Sequence, residues 1–219
     1  MIQLTRGGAR IALTDDEAEA LRGEFASRHI LRLPRLLDES LAATIESRLA
    51  GARFRTRMEG GLEIEGTLEE PALVDLFRFV LNDPALFALV DRLTSCGPIG
   101  CFTGRVYRRR ASTRPGEQYY PWHNDVADDR MIGLSINLGR EPFQGGVLQV
   151  RDAATQAPIT EIANTGYCDA VLFRISDALE HQVTPVEGGA LRTVMAGWFR
   201  ARPSYLDAFE DAKADAVHE

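Results

Sequence analysis

The sequence predicts an α+β fold: a double-stranded β-helix (jelly-roll) core supported by N-terminal helices. Up to residue 98, apolar residues recur three and four apart between capping and breaking residues, as in amphipathic helices. From Ile99 onward the pattern changes to short apolar runs separated by Gly, Pro, Asn and Asp, as in an all-β barrel or sandwich. The length, 219 residues, suits one domain with a substantial core. The expected organisation is a single domain over 1–219, with helical support and a few strands in 1–98, the jelly-roll core in 99–202 and a C-terminal tail in 203–219.

Taken in order, residues 2–13 alternate loosely and predict a short strand or hairpin around Gly7 and Gly8. A helix follows, capped by Thr14 or Asp15, with acidic residues in its first turn and Ala18, Leu21 and Phe25 at helical spacing. Residues 29–33 read as a strand ending before Pro34. Asp38 and Glu39 open a second helix with Leu41, Ile45 and Leu49 on one face, ending near Gly51. Residues 73–81 and 84–93 carry two more helices, closed by the Gly97-Pro98 breaker. The strands expected beyond are 100–107, 131–138, 146–150, 158–163, 169–174, 180–184 and 191–199; the tail after Pro203 is a terminal helix or frayed chain.

Composition narrows the partners. Lys and Arg total 25 against 32 Asp and Glu, and the net charge of −7 argues against coating nucleic acid or an anionic membrane. The basic run Arg108, Arg109, Arg110 reads as a solvated strand end or loop edge. Three cysteines, Cys96, Cys101 and Cys168, are too few and irregular for a disulfide framework or a Cys-rich zinc site. With no signal-like apolar start and no membrane-length apolar run, the expectation is a cytoplasmic protein.

The chemistry concentrates around Tyr120-Pro121-Trp122-His123-Asn124-Asp125. On a strand, His123 and Asp125 face the same way. A third donor from a neighbouring strand, for which His181 is the candidate, would complete one triangular face of an octahedron. Two histidines and one carboxylate suit non-haem Fe(II), because three positions stay open. Other readings of the residues remain: histidines that are structural in a cupin-like ligand-binding or sensory domain, or a zinc hydrolase with the same donor set.

The stretch GYCDAVLFRISDALEHQVTPVEGGALRTVMAGWF (166–199) carries Asp169-Ala170 leading into an apolar strand that ends in Phe173. His181, Val183, Pro185-Val186, Gly189, Arg192 and Trp198-Phe199 then follow in order. Upstream, Phe143, Gly145, Gly146 and Leu148 form a Phe-x-Gly-Gly turn before an apolar strand. This order and spacing, over about residues 100–200, resembles the 2-oxoglutarate- and Fe(II)-dependent oxygenase family, specifically its prolyl-4-hydroxylase-like branch. One departure is Cys168, which stands where the family has a glycine before the Asp-Ala turn; Gly166 lies three residues before the Asp.

The resemblance implies Fe(II) held by His123, Asp125 and His181, with 2-oxoglutarate and O2 as co-substrates. Arg192 would hold the far carboxylate of 2-oxoglutarate, for which a planar, permanently charged two-pronged donor is suited, and the Tyr107 hydroxyl would support it. A tight turn through Pro185 to Gly189 would bring Arg192 back antiparallel to the His181 strand. The reaction implied is hydroxylation of an unactivated C–H bond with release of succinate and carbon dioxide; halogenating relatives lack the carboxylate that Asp125 supplies.

Tyr119, Tyr120 and Trp122 crowd a loop, 111–122, that also holds Pro115 and Gly116 and is either a substrate lid or an aromatic cluster closing the barrel mouth. Trp198 shares a strand face with Arg192 and either walls the pocket or packs in the core. Arg174 and Asn137 could reach the pocket, on strand faces the sequence does not settle. The expected partner is a small molecule, amino acid or peptide.

Overall fold

The computed structural model describes residues 1–118, 120–127, 129–163 and 166–202. The expected tail conformation in 203–219 therefore lies outside the described residues, as does Tyr119.

The N-terminal part opens with a hairpin, β1 (Ile2–Thr5) and β2 (Gly8–Ile11). Helix α1 (Asp15–Arg28) starts at Thr14, whose side chain accepts from Glu17 N–H while the Glu17 carboxylate accepts from Thr14 N–H, a reciprocal capping box. The helix stops at His29, which takes a left-handed φ of 58°. Strand β3 (Ile30–Leu33) precedes α2 (Glu39–Ala50), capped by Asp38. Helices α3 (Pro71–Leu81) and α4 (Pro84–Thr94) each begin with proline, whose missing N–H costs nothing in a first turn.

Between α2 and α3 lies a hairpin that the hydrophobic pattern does not reveal: β4 (Phe54–Glu59) and β5 (Leu62–Leu68), joined through Gly60 and Gly61. It extends the main sheet of the core. The remaining strands are β6 (Cys101–Arg109), β7 (Arg130–Asn137), β8 (Phe143–Gly145), β9 (Leu148–Asp152), β10 (Pro158–Ile162), β11 (Ala170–Arg174), β12 (Leu179–Val183), β13 (Val186–Gly189) and β14 (Arg192–Arg200). The large sheet runs β3-β11-β7-β14-β6-β5-β4; a smaller one runs β10-β9-β12, and β13 pairs with β8. The expected jelly-roll core on helical support is the observed architecture.

Alternation assigns the two faces of the large sheet. Phe102, Val106, Ile132, Leu134, Ile136, Ala170, Leu172, Met195 and Phe199 point to one side and join Phe25, Leu73, Phe77, Leu86, Val90 and Leu93 of the helices in the main core. The opposite face looks toward the small sheet, across a thinner cluster of Ile30, Val171, Phe173, Leu148, Val150 and Leu179. Arg105, Tyr107 and Arg109 of β6 and Arg192 and Trp198 of β14 share the parity of this second face, since Arg192 lies opposite Arg109 and Trp198 opposite Thr103.

One turn and one strand position are set by particular residues. Cys168 adopts φ 62°, a left-handed conformation that glycine takes without strain, so the turn before Asp169 forms with cysteine in place. The Asp169 carboxylate braces it, accepting from the Arg32 guanidinium and from Arg35 N–H. Gly133 sits opposite Phe173 in the β7–β11 pairing, and a Cβ there would run into the Phe173 ring.

The loop 111–118 is tied down. Glu117, 1% exposed, accepts from the N–H groups of Thr113 (2.8 Å) and Arg114 (3.2 Å) and from both arginine side chains, Arg114 (3.2 Å) and Arg110 (3.3 Å). Gln118 donates to Arg110 O (2.6 Å) and accepts from Val186 N–H (3.1 Å). This described part is an anchored segment, so a lid would have to lie outside it.

Two outcomes follow. Gly133→Ala forces the Phe173 ring off its site and destabilises the protein by about 1–3 kcal/mol, read as a lower denaturant midpoint; an unchanged midpoint contradicts the packing described. The backbone donors of Thr113 lead the contacts that hold the Glu117 carboxyl at about 2. Its folded value is depressed, so its contribution is complete above the unfolded value of about 4.3 and is lost as pH falls toward about 2. Glu117→Gln therefore gives a shallower acid limb in midpoint-versus-pH measurements; an acid limb identical to wild type refutes the anchoring role.

Candidate metal centre

His123 belongs to no regular strand. It forms a single antiparallel bridge with His181 of β12: His123 N–H donates to His181 O (3.1 Å) and His181 N–H to His123 O (2.7 Å). A directly opposed pair has its side chains close together, and the two imidazole rings stand 4.4 Å apart. The shared strand face expected for His123 and Asp125 is not how Asp125 reaches them. Asp125 has φ 55°, a left-handed conformation that turns the chain sharply after the bridge.

Around Asp125 the donors converge. His181 Nε2 lies 3.3 Å from Asp125 Oδ2 and His123 Nε2 lies 3.6 Å from Oδ1. Donor atoms of all three residues lie within 4.8 Å of one another. Cis ligands of an octahedral ion with bonds of about 2.1 Å stand about 3 Å apart, so these residues fit a divalent cation after small adjustments. His123 Nδ1 is 2.8 Å from Pro121 O, and as the donor in that bond it leaves Nε2 with its lone pair toward the centre. The Phe173 ring covers His181 at 4.8 Å between centroids.

Trp198 reaches Asp125. Its indole N–H donates to Asp125 Oδ2 (2.9 Å), and the Arg130 guanidinium lies over its ring (3.9 Å) with Nη1 3.7 Å from Asp125 Oδ1. Burial pushes the Asp125 carboxyl up, but the His181 contact, the indole N–H and His123 outweigh it and hold it at about 2. The carboxylate is thus charged over the whole ordinary pH range.

A second cluster lies on the same face of the large sheet. Arg192 is 3% exposed; its Nη1 donates to the Tyr107 hydroxyl (3.2 Å), and its Nε has no partner among the described residues. Gly146, at φ 61°, makes room for it, since a Cβ there would lie 2.7 Å from Arg192 Cδ and 2.9 Å from Nε. Burial raises the Tyr107 phenol, yet the nearby Arg192 and Arg109 charges dominate and bring it below its usual value. Arg192 does not return beside the His181 strand as the spacing suggests. The turn after β12 leads into β13, which pairs with β8, and β14 joins the large sheet between β6 and β7, while β12 pairs with β9.

At the loop, the Tyr120 hydroxyl accepts from Arg57 Nη1 (3.1 Å), and its ring centroid is 6.4 Å from that of His123. Trp122 lies beneath the Arg151 guanidinium at 4.3 Å. Arg174 donates to Thr94 O, and Asn137 donates to Gly139 O and Gly166 O, so both serve turns and packing. The basic run also divides. Arg108 lies over the Phe54 ring and Arg110 bonds Glu63, but Arg109 is 3% exposed, contrary to a solvated strand end. Glu65, Arg105, Arg109 and Arg130 escape the sequence reading, because nothing in a charged residue's neighbours in sequence says that its strand face is covered.

Residues 109–200 match the model of the 2OG-Fe(II) oxygenase superfamily, and this span contains the three donors and Arg192. No curated protein matches the chain. Solved structures of similar fold include a 2OG-Fe(II) oxygenase family oxidoreductase from Burkholderia pseudomallei, with TM-score 0.62 and 17% identity over 88% of this chain and 94% of that one. The alpha ketoglutarate dependent epimerase SnoN from nogalamycin biosynthesis matches with TM-score 0.64 and 13% identity, over 85% and 84%. A prolyl-4-hydroxylase from Pseudomonas putida matches with TM-score 0.56 and 19% identity, over 84% and 99%. The family match over residues 109–200 and the similar folds support a dioxygenase enzyme that uses Fe(II), 2-oxoglutarate and O2.

Proposed function

We propose that this dioxygenase hydroxylates an unactivated C–H bond of a small molecule, amino acid or peptide. His123, Asp125 and His181 would hold Fe(II), and Arg192 with the Tyr107 hydroxyl would hold the 5-carboxylate of 2-oxoglutarate. The observation that carries this reading is the convergence of the three donors, in one fold with a buried guanidinium whose Nε has no hydrogen-bond partner among the described residues. Fe(II) with 2-oxoglutarate and O2 supplies the oxidising power, the co-substrate leaving as succinate and carbon dioxide.

The chain's own residues do the positioning. The His123–His181 bridge fixes two nitrogens side by side, and Trp198 and Arg130 fix the carboxylate that completes the face. Arg192 is held for a planar two-pronged contact by the Tyr107 hydroxyl on one side and the Gly146 backbone on the other. Phe173 and the apolar residues between the sheets limit water near the donors. Asp125, charged and fixed, supports hydroxylation over halogenation. A zinc hydrolase would share the donors but has no use for Arg192. Cytoplasmic residence is part of the proposal, supported by three cysteines that stand as thiols. No helix among the described residues is long and apolar enough to cross a membrane.

Anaerobic titration of the protein with Fe(II) and 2-oxoglutarate should give the weak visible charge-transfer band of the chelate. His181→Ala loses both the band and the bound iron; iron content equal to wild type would remove His181 from the site. Arg192→Ala keeps iron but loses 2-oxoglutarate affinity by about 2–5 kcal/mol, roughly 30-fold or more, with Arg192→Lys falling between. Succinate release against amino acid, peptide and metabolite pools must depend on oxygen and yield a product heavier by one oxygen atom. Turnover without oxygen would instead favour hydrolysis.

A further inference from the structure

The interior face of the large sheet carries more positive charge than one dicarboxylate co-substrate accounts for. Arg105, Tyr107 and Arg109 occupy successive positions on that face of β6, and Arg109 lies directly opposite Arg192. Glu65 of β5, 1% exposed, is the acidic partner. Its Oε1 accepts from both Nε (3.0 Å) and Nη2 (2.8 Å) of Arg105, while its Oε2 has no hydrogen bond and lies 3.6 Å from Arg109 Nη2. Two guanidiniums thus share one carboxylate, and Arg105 has the better half of it. Arg109 is left 3% exposed with Nε and Nη1 unpartnered among the described residues.

A guanidinium so placed is expensive. Removing an ion from water without full pairing costs several kcal/mol, and buried donors left unmade cost more. An anion arriving at the free edge of this guanidinium would recover much of that cost. The position shows which anion. Arg109 and Arg192 both lie against the Tyr107 ring, 5.2 and 5.8 Å from its centroid. Arg109 alone of the two also lies against Tyr120, 4.9 Å from that ring, in the loop that leads into His123. Arg57, bonded to the Tyr120 hydroxyl, adds a third guanidinium on the same side. Of the two, Arg109 is the one that reaches the loop leading into His123.

Resting on the reading of the site as a 2-oxoglutarate-dependent hydroxylase, we propose that Arg109, supported by Arg105, anchors a carboxylate of the substrate. The substrate is then a carboxylic acid, bound beside 2-oxoglutarate and by a guanidinium of its own. Arg109 offers parallel N–H pairs along its Nε–Nη2 and Nη1–Nη2 edges, and each matches a carboxylate, which gives the site geometric as well as charge selectivity.

The test uses full-length protein loaded anaerobically with Fe(II) and saturating 2-oxoglutarate, so that Arg192 is occupied. Phenylacetate, N-acetylglycine and 3-phenylpropionate are titrated, each against its uncharged amide, by calorimetry and by perturbation of the chelate band. At least one acid should bind about tenfold or more tightly than its amide, and Arg109→Met should abolish that preference. In the same variant 2-oxoglutarate affinity stays within about threefold of wild type and the melting temperature does not fall, because an unpaired buried charge has been removed. Arg109→Lys should keep part of the preference. Three results overturn the proposal: a band but no preference for acid over amide in wild type, a loss of 2-oxoglutarate affinity in Arg109→Met as large as in Arg192→Ala, or a destabilised or unfolded Arg109→Met. The first leaves the hydroxylase reading intact, the second assigns Arg109 to the co-substrate, and the third makes it a structural partner of Glu65. Absence of the chelate band in wild type would instead sink the hydroxylase reading itself, and the substrate assignment with it.

Discussion

His123 and His181 exchange both of their backbone hydrogen bonds across a single-residue bridge, and this pins the long loop between β6 and β7 to the small sheet at the point where three donors meet. A segment of that length without regular structure would ordinarily sample many conformations. Here the bridge fixes its middle, Glu117 and Gln118 fix its start, and Asp129, accepting from Arg200 Nε (2.9 Å) and Arg202 N–H (2.6 Å), fixes its end. Ordering by three anchors lets a loop present ligands with the rigidity that a donor set needs.

The second dependency is the facing of the sheets. One face of the large sheet is apolar and buries the helices; the other carries arginines, a tyrosine and a tryptophan in a space the small sheet closes. Because the side-chain period is two, a one-residue slip of β14 against β6 would send Arg192 and Trp198 into the apolar core and bring Met195 and Phe199 into the site. The apolar core therefore enforces the register of the functional face. Gly133 and Gly146 contribute by leaving space, one for the ring over His181 and one for the Arg192 stem.

Much of this could be read from the residues. The helices over 15–28, 39–50, 71–81 and 84–94 follow from periodicity and caps, and most core strands from apolar runs between turn residues. His123, Asp125 and His181, which the residue types single out, converge in the structure, and Arg192 donates to the Tyr107 hydroxyl. What failed has physical causes. The β4–β5 hairpin is mostly polar, and its sheet membership depends on pairing with β6, a contact remote in sequence. Periodicity says which face a side chain takes but not which sheet a strand joins, so β14 was expected beside β12. Asp125 reaches the site through a left-handed residue that strand geometry does not anticipate. Parity with Arg192 puts Trp198 on the pocket face, but its bond to Asp125 depends on the loop and is not legible from parity.

The net charge is the least informative of the global quantities here, because the charge is segregated. A total of −7 describes a surface rich in Asp and Glu. Between the sheets and along the loop, by contrast, Arg57, Arg105, Arg109, Arg130, Arg151 and Arg192 face a buried Glu65, an Asp125 committed to the donor set and a Glu180 bonded to Arg151. The buried members of this group, Arg109 and Arg192, act far more strongly than the same charges on the surface, where salt screens them within about 8 Å. An acidic exterior around a cationic cavity repels large polyanions from the surface while the cavity still favours a small anion. That combination is the setting in which the proposed acidic substrate would bind.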